Sequence, residues 1–189
     1  LAIAMMSGAA LASVHGFFTV ALGAEQVVSG LSLTILGLGL AAYIGKDYVG
    51  QPPGAELVPV EWAGLSDIPW VGPIFFSQPP MVYIAILMGV AVSVVLTNTR
   101  IGLALRASGE SASSTDSAGH SVLGLRLSAV AAGGALAGAS GAFLTLSLTP
   151  QWAEGLTAGR GWIAVALVIF GAWKPGRVGW GAILFGGTL

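Results

Sequence analysis

The chain has no cysteine, which excludes a disulfide framework, thiolate chemistry and any cysteine-based metal site. It is also poor in charge, with only 8% of its 189 residues Asp, Glu, Lys or Arg. Soluble domains carry about one quarter, so these groups are too few to coat a water-facing surface. The formal net charge of −1 offers no basic patch to meet phosphates, which argues against nucleic-acid binding. No Gly-x-x-x-x-Gly-Lys-Ser/Thr run occurs, and Gly45-Lys46-Asp47 lacks both the hydroxyl and the upstream glycine. The chain is therefore not expected to bind ATP itself. His15 and His120 lie far apart, and neither has a second ligand at metal spacing, so no metal site is expected. No serine or histidine has an assignable catalytic partner, and an enzyme is not expected. The first apolar run lacks a basic flank, so it reads as a spanning helix and not as a signal peptide. The sequence starts at Leu1 and stops at Leu189 within an apolar run, as an internal piece of a longer protein would.

What is present is apolar: 55% of the residues, gathered in long runs, with 29 glycines mostly inside them. Residues 1–24 carry no acid, lysine or arginine, and Gly8, Ala12 and Gly16 recur every four positions, a spacing that suits close helix packing in lipid. His15, in this run, reads as an interface residue bonded to a neighbouring helix. Glu25 interrupts, and Gln26–Gly45 is again long enough to cross. Glu25 sits either in a tight inner turn between two helices or at a broken helix facing a cavity. Met81–Thr97 and Leu127–Thr149 are further spans. The second places Gly133, Ala137 and Gly141 on one face, with Gly134 and Gly138 beside them. Gly161–Trp173 is short for a ~30 Å core and reads as tilted, extended through the preceding turn, or re-entrant. Val178 onward begins another span. Trp152, Trp162, Trp173 and Trp180 fall near helix ends, as interfacial anchors do.

Two connectors differ in chemistry. Residues 46–80 hold seven of the nine prolines and four acids against one lysine, so no helix persists there and the outer side is expected. Residues 98–126 carry Arg100, Arg106 and Arg126 and read as a cytoplasmic loop containing a short helix over Glu110–Gly119. Lys174-Pro-Gly-Arg177 is a second basic turn on the same side. Gly37-Leu-Gly39-Leu-Ala-Ala42 and Gly159-Arg-Gly161-Trp-Ile-Ala164 fit the loose dinucleotide pattern, but in apolar surroundings packing glycines explain them better. Glu154 and Arg160 either pair across an outer turn or line a path through the bundle.

Several segments taken together carry a resemblance. Glu25-Gln-Val-Val-Ser-Gly-Leu-Ser-Leu-Thr34, Gly37-Leu-Gly-Leu40, Tyr48-Val-Gly-Gln-Pro52, Gly64-Leu-Ser-Asp-Ile-Pro69 and Thr157-Ala-Gly-Arg-Gly-Trp-Ile-Ala164 are similar to permease subunits of bacterial ABC importers. The branch is that of nucleoside and simple-sugar permeases, relatives of the ribose and branched-chain amino-acid permeases. The resemblance implies an all-α polytopic transmembrane bundle, like type II ABC importer permeases, in the bacterial cytoplasmic membrane. This 1–189 piece of a single permease domain would lack both ends. It implies as partners a second permease subunit, a cytoplasmic ABC ATPase that holds ATP and Mg²⁺, and an extracytoplasmic substrate-binding lipoprotein. The chain itself would bind no cofactor.

The family's coupling loop is matched by Arg106-Ala-Ser-Gly-Glu110 and Ala118-Gly119, while Ser111-Ala112 and His120 depart from it. The resemblance thus assigns ATPase coupling to Arg106, Glu110, Ser111, Asp116, Ala118, Gly119 and His120, with Ser111 expected to cap the helix. Glu25, Gln26, Ser29 and Thr34 are candidates along a substrate path, with Trp152, Glu154 and Arg160 toward its outer mouth. A secondary transporter or channel without an ATPase is the alternative, since intramembrane acids and broken helices serve it equally. A structural scaffold fits the small-residue packing but leaves the basic connector unexplained.

Overall fold

The computed structural model describes residues 1–51, 58–60, 66 and 76–187. Most of the acidic 46–80 connector, including all of Gly64–Pro69 except Ser66, lies outside the described residues. The described helices are α1 (Ala2–Gly16), α2 (Gln26–Gly45), α3 (Pro80–Asn98), α4 (Arg100–Glu110), α5 (Ala112–Ser117), α6 (Val122–Phe143), α7 (Arg160–Phe170) and α8 (Pro175–Gly186). No strand occurs among the described residues; one isolated bridge joins Val49 to Trp152.

Four segments are long and apolar enough to cross a bilayer: Ala2–Ala21, Gln26–Tyr48, Pro80–Asn98 and Val122–Leu148, of 20, 23, 19 and 27 residues. A core of ~30 Å needs about 20 helical residues. The all-α polytopic architecture is the one expected. α1 is prolonged by a π-helical turn at Phe17–Ala21 and α6 by another at Leu144–Leu148, where each helix widens before it ends. Among the described apolar side chains only Met81, Ala104 and Leu144 are buried, while Ile3 is 84% and Ile35 73% exposed. So much bare hydrocarbon requires lipid or neighbouring helices around it.

The chain divides into two compact units. The first comprises Leu1–Gly54 and Asn98–Leu156. Its centre is the α1–α6 pair, which packs antiparallel through small residues. Gly16 faces Leu127 and Val130, Gly134 faces Gly8 and Ala12, and Gly138 faces Ala4 and Gly8. The every-fourth spacing of Gly8, Ala12 and Gly16 does form a packing face. On α6, however, the face in use is Gly134–Gly138 and not Gly133–Ala137–Gly141. A Cβ on Gly133 or Gly141 meets nothing within 4 Å, whereas one on Gly134 or Gly138 strikes α1.

The second unit comprises Ala55–Thr97 and Thr157–Leu189. Here α3 is a span with Pro80 at its first position, where its missing N–H costs nothing. α7 and α8 form a helical hairpin. A Cβ on Gly171 would fall 2.5 Å from Val178 Cγ2, and one on Gly181 3.5 Å from Leu167 Cδ2. The turn between them carries Ala172 and Trp173 at φ 51° and 60°. α7 has 11 residues, ~16 Å of helix, and is not extended backward, because turns and the left-handed Gly159 precede Arg160. Its sequence neighbour α8 opens at Pro175, three residues before the expected start at Val178.

Candidate functional site

The first unit has two ends, and contacts within it identify them. Because α1 and α6 are antiparallel, the turn after α1 (Leu22–Glu25) shares one end with the α4–α5 connector that leads into α6. At the opposite end the indole of Trp152, beyond α6, lies directly on the bare Cα of Gly45 at the close of α2, and Val49 bridges to Trp152. Arg100, Arg106 and Arg126 belong to the first end, against Glu25, Glu110 and Asp116; the second carries Lys46, Asp47 and Glu154. The basic residues therefore concentrate at the connector end.

The connector is built helix by helix from hydroxyl caps. Thr99 Oγ1 accepts from Gly102 N at 3.1 Å and opens α4. Ser111 Oγ accepts from Ser114 N at 3.3 Å and opens α5, so the cap expected of Ser111 is formed. Ser121 Oγ accepts from Gly124 N at 3.2 Å and opens α6. At the end of α5 the N–H of Gly119 reaches Asp116 O at 2.8 Å, and that of His120 reaches Thr115 O at 3.2 Å. With Gly119 at φ 82° this is a Schellman closure, in which a left-handed glycine lets two terminal carbonyls be satisfied.

The short helix expected over Glu110–Gly119 is therefore Ala112–Ser117, with Ser111 and Gly119 as its brackets. Glu110 closes the preceding helix instead, because Ser111 turns extended at φ −149°. Arg106, Glu110, Asp116, Ala118, Gly119 and His120 are all exposed, and Ser111 is half-buried. Of these, Asp116 lies on α5 and His120 just beyond its end, while Arg106 and Glu110 lie on α4.

Three residues without an expected role hold this assembly together. Ser108 and Thr115 are each only 3% exposed. Ser108 Oγ donates to Leu105 O at 2.7 Å and Thr115 Oγ1 to Ser111 O at 3.0 Å. Arg126 Nη2 donates to the carbonyl of Ser108 at 2.7 Å, joining α4 to the foot of α6. α6 begins at Val122, so Arg126 stands on the spanning helix and not in a loop. A cation immediately ahead of the long apolar run that starts at Leu127 was the available signal for it.

The candidate path residues separate. Glu25 is an N-cap: its Oε2 accepts from Val28 N at 2.6 Å, and with Gly23 at φ 69° it forms the tight turn between α1 and α2. The broken-helix reading of Glu25 is thereby replaced. Gln26 is exposed at the first turn of α2. Ser29 Oγ lies 3.0 Å from His15 Nδ1, which gives His15 the interhelical partner expected of it. The Thr34 hydroxyl bonds back to Gly30 O at 2.9 Å. Trp152 and exposed Glu154 belong to the opposite end, and Arg160, also exposed, opens α7 in the second unit. Among the described residues no three His, Cys, Asp or Glu side chains gather as metal ligands.

Apolar helices long enough to cross a bilayer, packed through glycine and joined by a capped two-helix connector, define a polytopic all-α membrane protein. Residues 1–188 match the family described as the branched-chain amino acid transport system / permease component, and the chain belongs to that family. It is 40% identical over 189 residues to TsgC13 of Haloferax volcanii, whose name provisionally assigns it as a glucose ABC transporter permease protein. That match covers 97% of this chain and 57% of the relative. It is 33% identical over 187 residues to the nucleoside ABC transporter permease protein NupC of Lactococcus lactis, covering 95% and 58%. It is 31% identical over 199 residues to the guanosine ABC transporter permease protein NupQ of Bacillus subtilis, covering 98% and 60%. The chain thus spans less than two thirds of the length of these curated relatives. No solved structure was found to match it.

Proposed function

We propose that this chain is the membrane-spanning part of a permease subunit in an ATP-driven ABC importer that carries nucleosides or simple sugars across a prokaryotic cytoplasmic membrane. The family and the names of the three relatives support the class and the cargo. The observation that carries the mechanism is the connector: α5 is capped at both ends, exposes Asp116 with exposed His120 just beyond it, and is anchored by a buried Thr115. A helix of six residues is marginal alone, so its full set of caps marks a surface kept in shape for a partner.

By the positive-inside tendency the arginine-rich end faces the cytoplasm, where an ABC ATPase holds ATP and Mg²⁺. The ATPase closes on nucleotide, displaces α5, and the helices follow as rigid bodies. A second permease subunit completes the pathway between them, and an extracytoplasmic binding lipoprotein delivers solute at the Trp152 end. An uncharged polar solute needs hydrogen-bonding groups along its route, which Gln26 and the His15–Ser29 pair offer near the inner end.

The test replaces Ala112–Ser117 by a Gly-Ser linker in the full transporter. Substrate-stimulated ATP hydrolysis and uptake are expected to be lost while the subunit still inserts. Undiminished uptake, or a subunit that transports with no ATPase bound, refutes this reading in favour of an ion-coupled carrier.

A further inference from the structure

We infer that Arg126 is the positioning residue that fastens the connector to the membrane bundle, so that α5, α4, α6 and α1 move as one body. The inference rests on the importer reading above. α4 ends at Glu110 and Ser111 departs into extended backbone, so carbonyls of its last turn lack successors in the helix. Arg126 supplies one of them, bonding Ser108 O at 2.7 Å across 18 positions of sequence. A cation at a helix C-terminus also meets the negative end of the macrodipole, and the charge-assisted bond is stronger than a neutral one.

Ser108 and Thr115 are buried, one on each connector helix, while Arg126 itself is exposed. The residue after Arg126, Leu127, already touches α1 at Gly16, as does Val130 one turn on. Gly134 and Gly138 continue that contact along Gly8 and Ala4. A guanidinium has five donors in a planar fork and keeps its charge, so it holds such an angle better than a flexible ammonium. Movement of α4 thereby reaches α1 through one hydrogen bond to α6 and one glycine-lined interface.

The experiment uses the assembled transporter in nanodiscs. Arg126→Gln is expected to lower the ratio of substrate-stimulated to basal ATP hydrolysis by about five-fold or more, with basal hydrolysis unchanged and Arg126→Lys between the two. A second arm leaves Arg126 in place. Because the chain has no cysteine, spin labels at Ser113→Cys and Ser128→Cys, both exposed, report the connector-to-α6 distance in nucleotide-free and ATP-bound states. That distance is expected to hold constant within the roughly 1–2 Å of a helix shift. A wild-type stimulation ratio in Arg126→Gln, or a label distance that changes by more than this, overturns the inference. Cross-linking of the unlabelled Ser113→Cys thiol to the ATPase is scored in parallel. If that contact is absent the importer reading itself fails, whereas a normal contact with a changing distance overturns the role of Arg126 alone.

Discussion

Gly134 of α6 faces the carbonyl of Gly8 in α1 so closely that neither position accepts a Cβ without displacing the other helix. The antiparallel α1–α6 pair is therefore held at backbone separation, as glycine-lined contacts in lipid are. Gly133, one residue away, meets nothing within 4 Å. Gly134→Ala should lower the stability of the purified subunit by about 1–3 kcal/mol through overpacking. Gly133→Ala should be neutral or stabilise by up to about 1 kcal/mol, since alanine is the better helix former. Unfolding in a mixed-micelle titration compares the two, and equal effects would contradict the packing register described.

The brackets of α5 are open to a similar contrast. Ser111→Ala removes the N-cap and should cost about 1 kcal/mol of local stability. Gly119→Ala forces a side chain into φ 82° and should cost about 1–2 kcal/mol, with Gly119→Asn milder. Amide hydrogen exchange of residues 112–117 should speed up in Ser111→Ala and Gly119→Ala while that of α1 is unchanged. Unaltered exchange in both variants would mean that the caps do not hold this helix.

His15 and Ser29 join α1 to α2 by a side-chain hydrogen bond within the spanning region. A double-mutant cycle with His15→Ala and Ser29→Ala should return a coupling of about 0.6 kcal/mol, the average for such bonds in membrane proteins. Additive single effects would show the two side chains to be independent.

At the opposite end Gly45 leaves room for the Trp152 ring. Gly45→Ala should expel the indole and lower stability by about 1–3 kcal/mol. Trp152→Ala should make Gly45→Ala nearly silent, because the obstruction is gone. Full additivity between the two substitutions would rule the contact out.

Much of this fold was legible from the chain itself. Uninterrupted apolar runs marked the spans because a bilayer sets their length, and the clustering of arginines marked one connector as different from the proline-rich one. His15 was readable as interhelical, since a polar ring in an apolar run must find a partner. Less legible was register. Gly133 and Gly134 are chemically identical and about 100° apart on the helix, so only the contact with α1 decides which is used. The start of α6 was also hidden, because its second turn carries Arg126, and a charge there looks like a loop until Ser108 appears beside it. The gap between Glu110 and α5 escaped notice for a similar reason. Serine and alanine fit helix or cap equally, and the extended Ser111 backbone alone separates them. The contact of Gly45 with Trp152 joins distant parts of the chain and has no local signal.

The most direct test of the account asks where α5 points and what touches it. Ser117 is exposed on that helix, and Ser117→Cys places a single thiol among these 189 residues. In native membranes it should cross-link to the partner ATPase and resist a membrane-impermeant thiol reagent added outside intact cells. Labelling from the outside, with no ATPase adduct, would contradict the account.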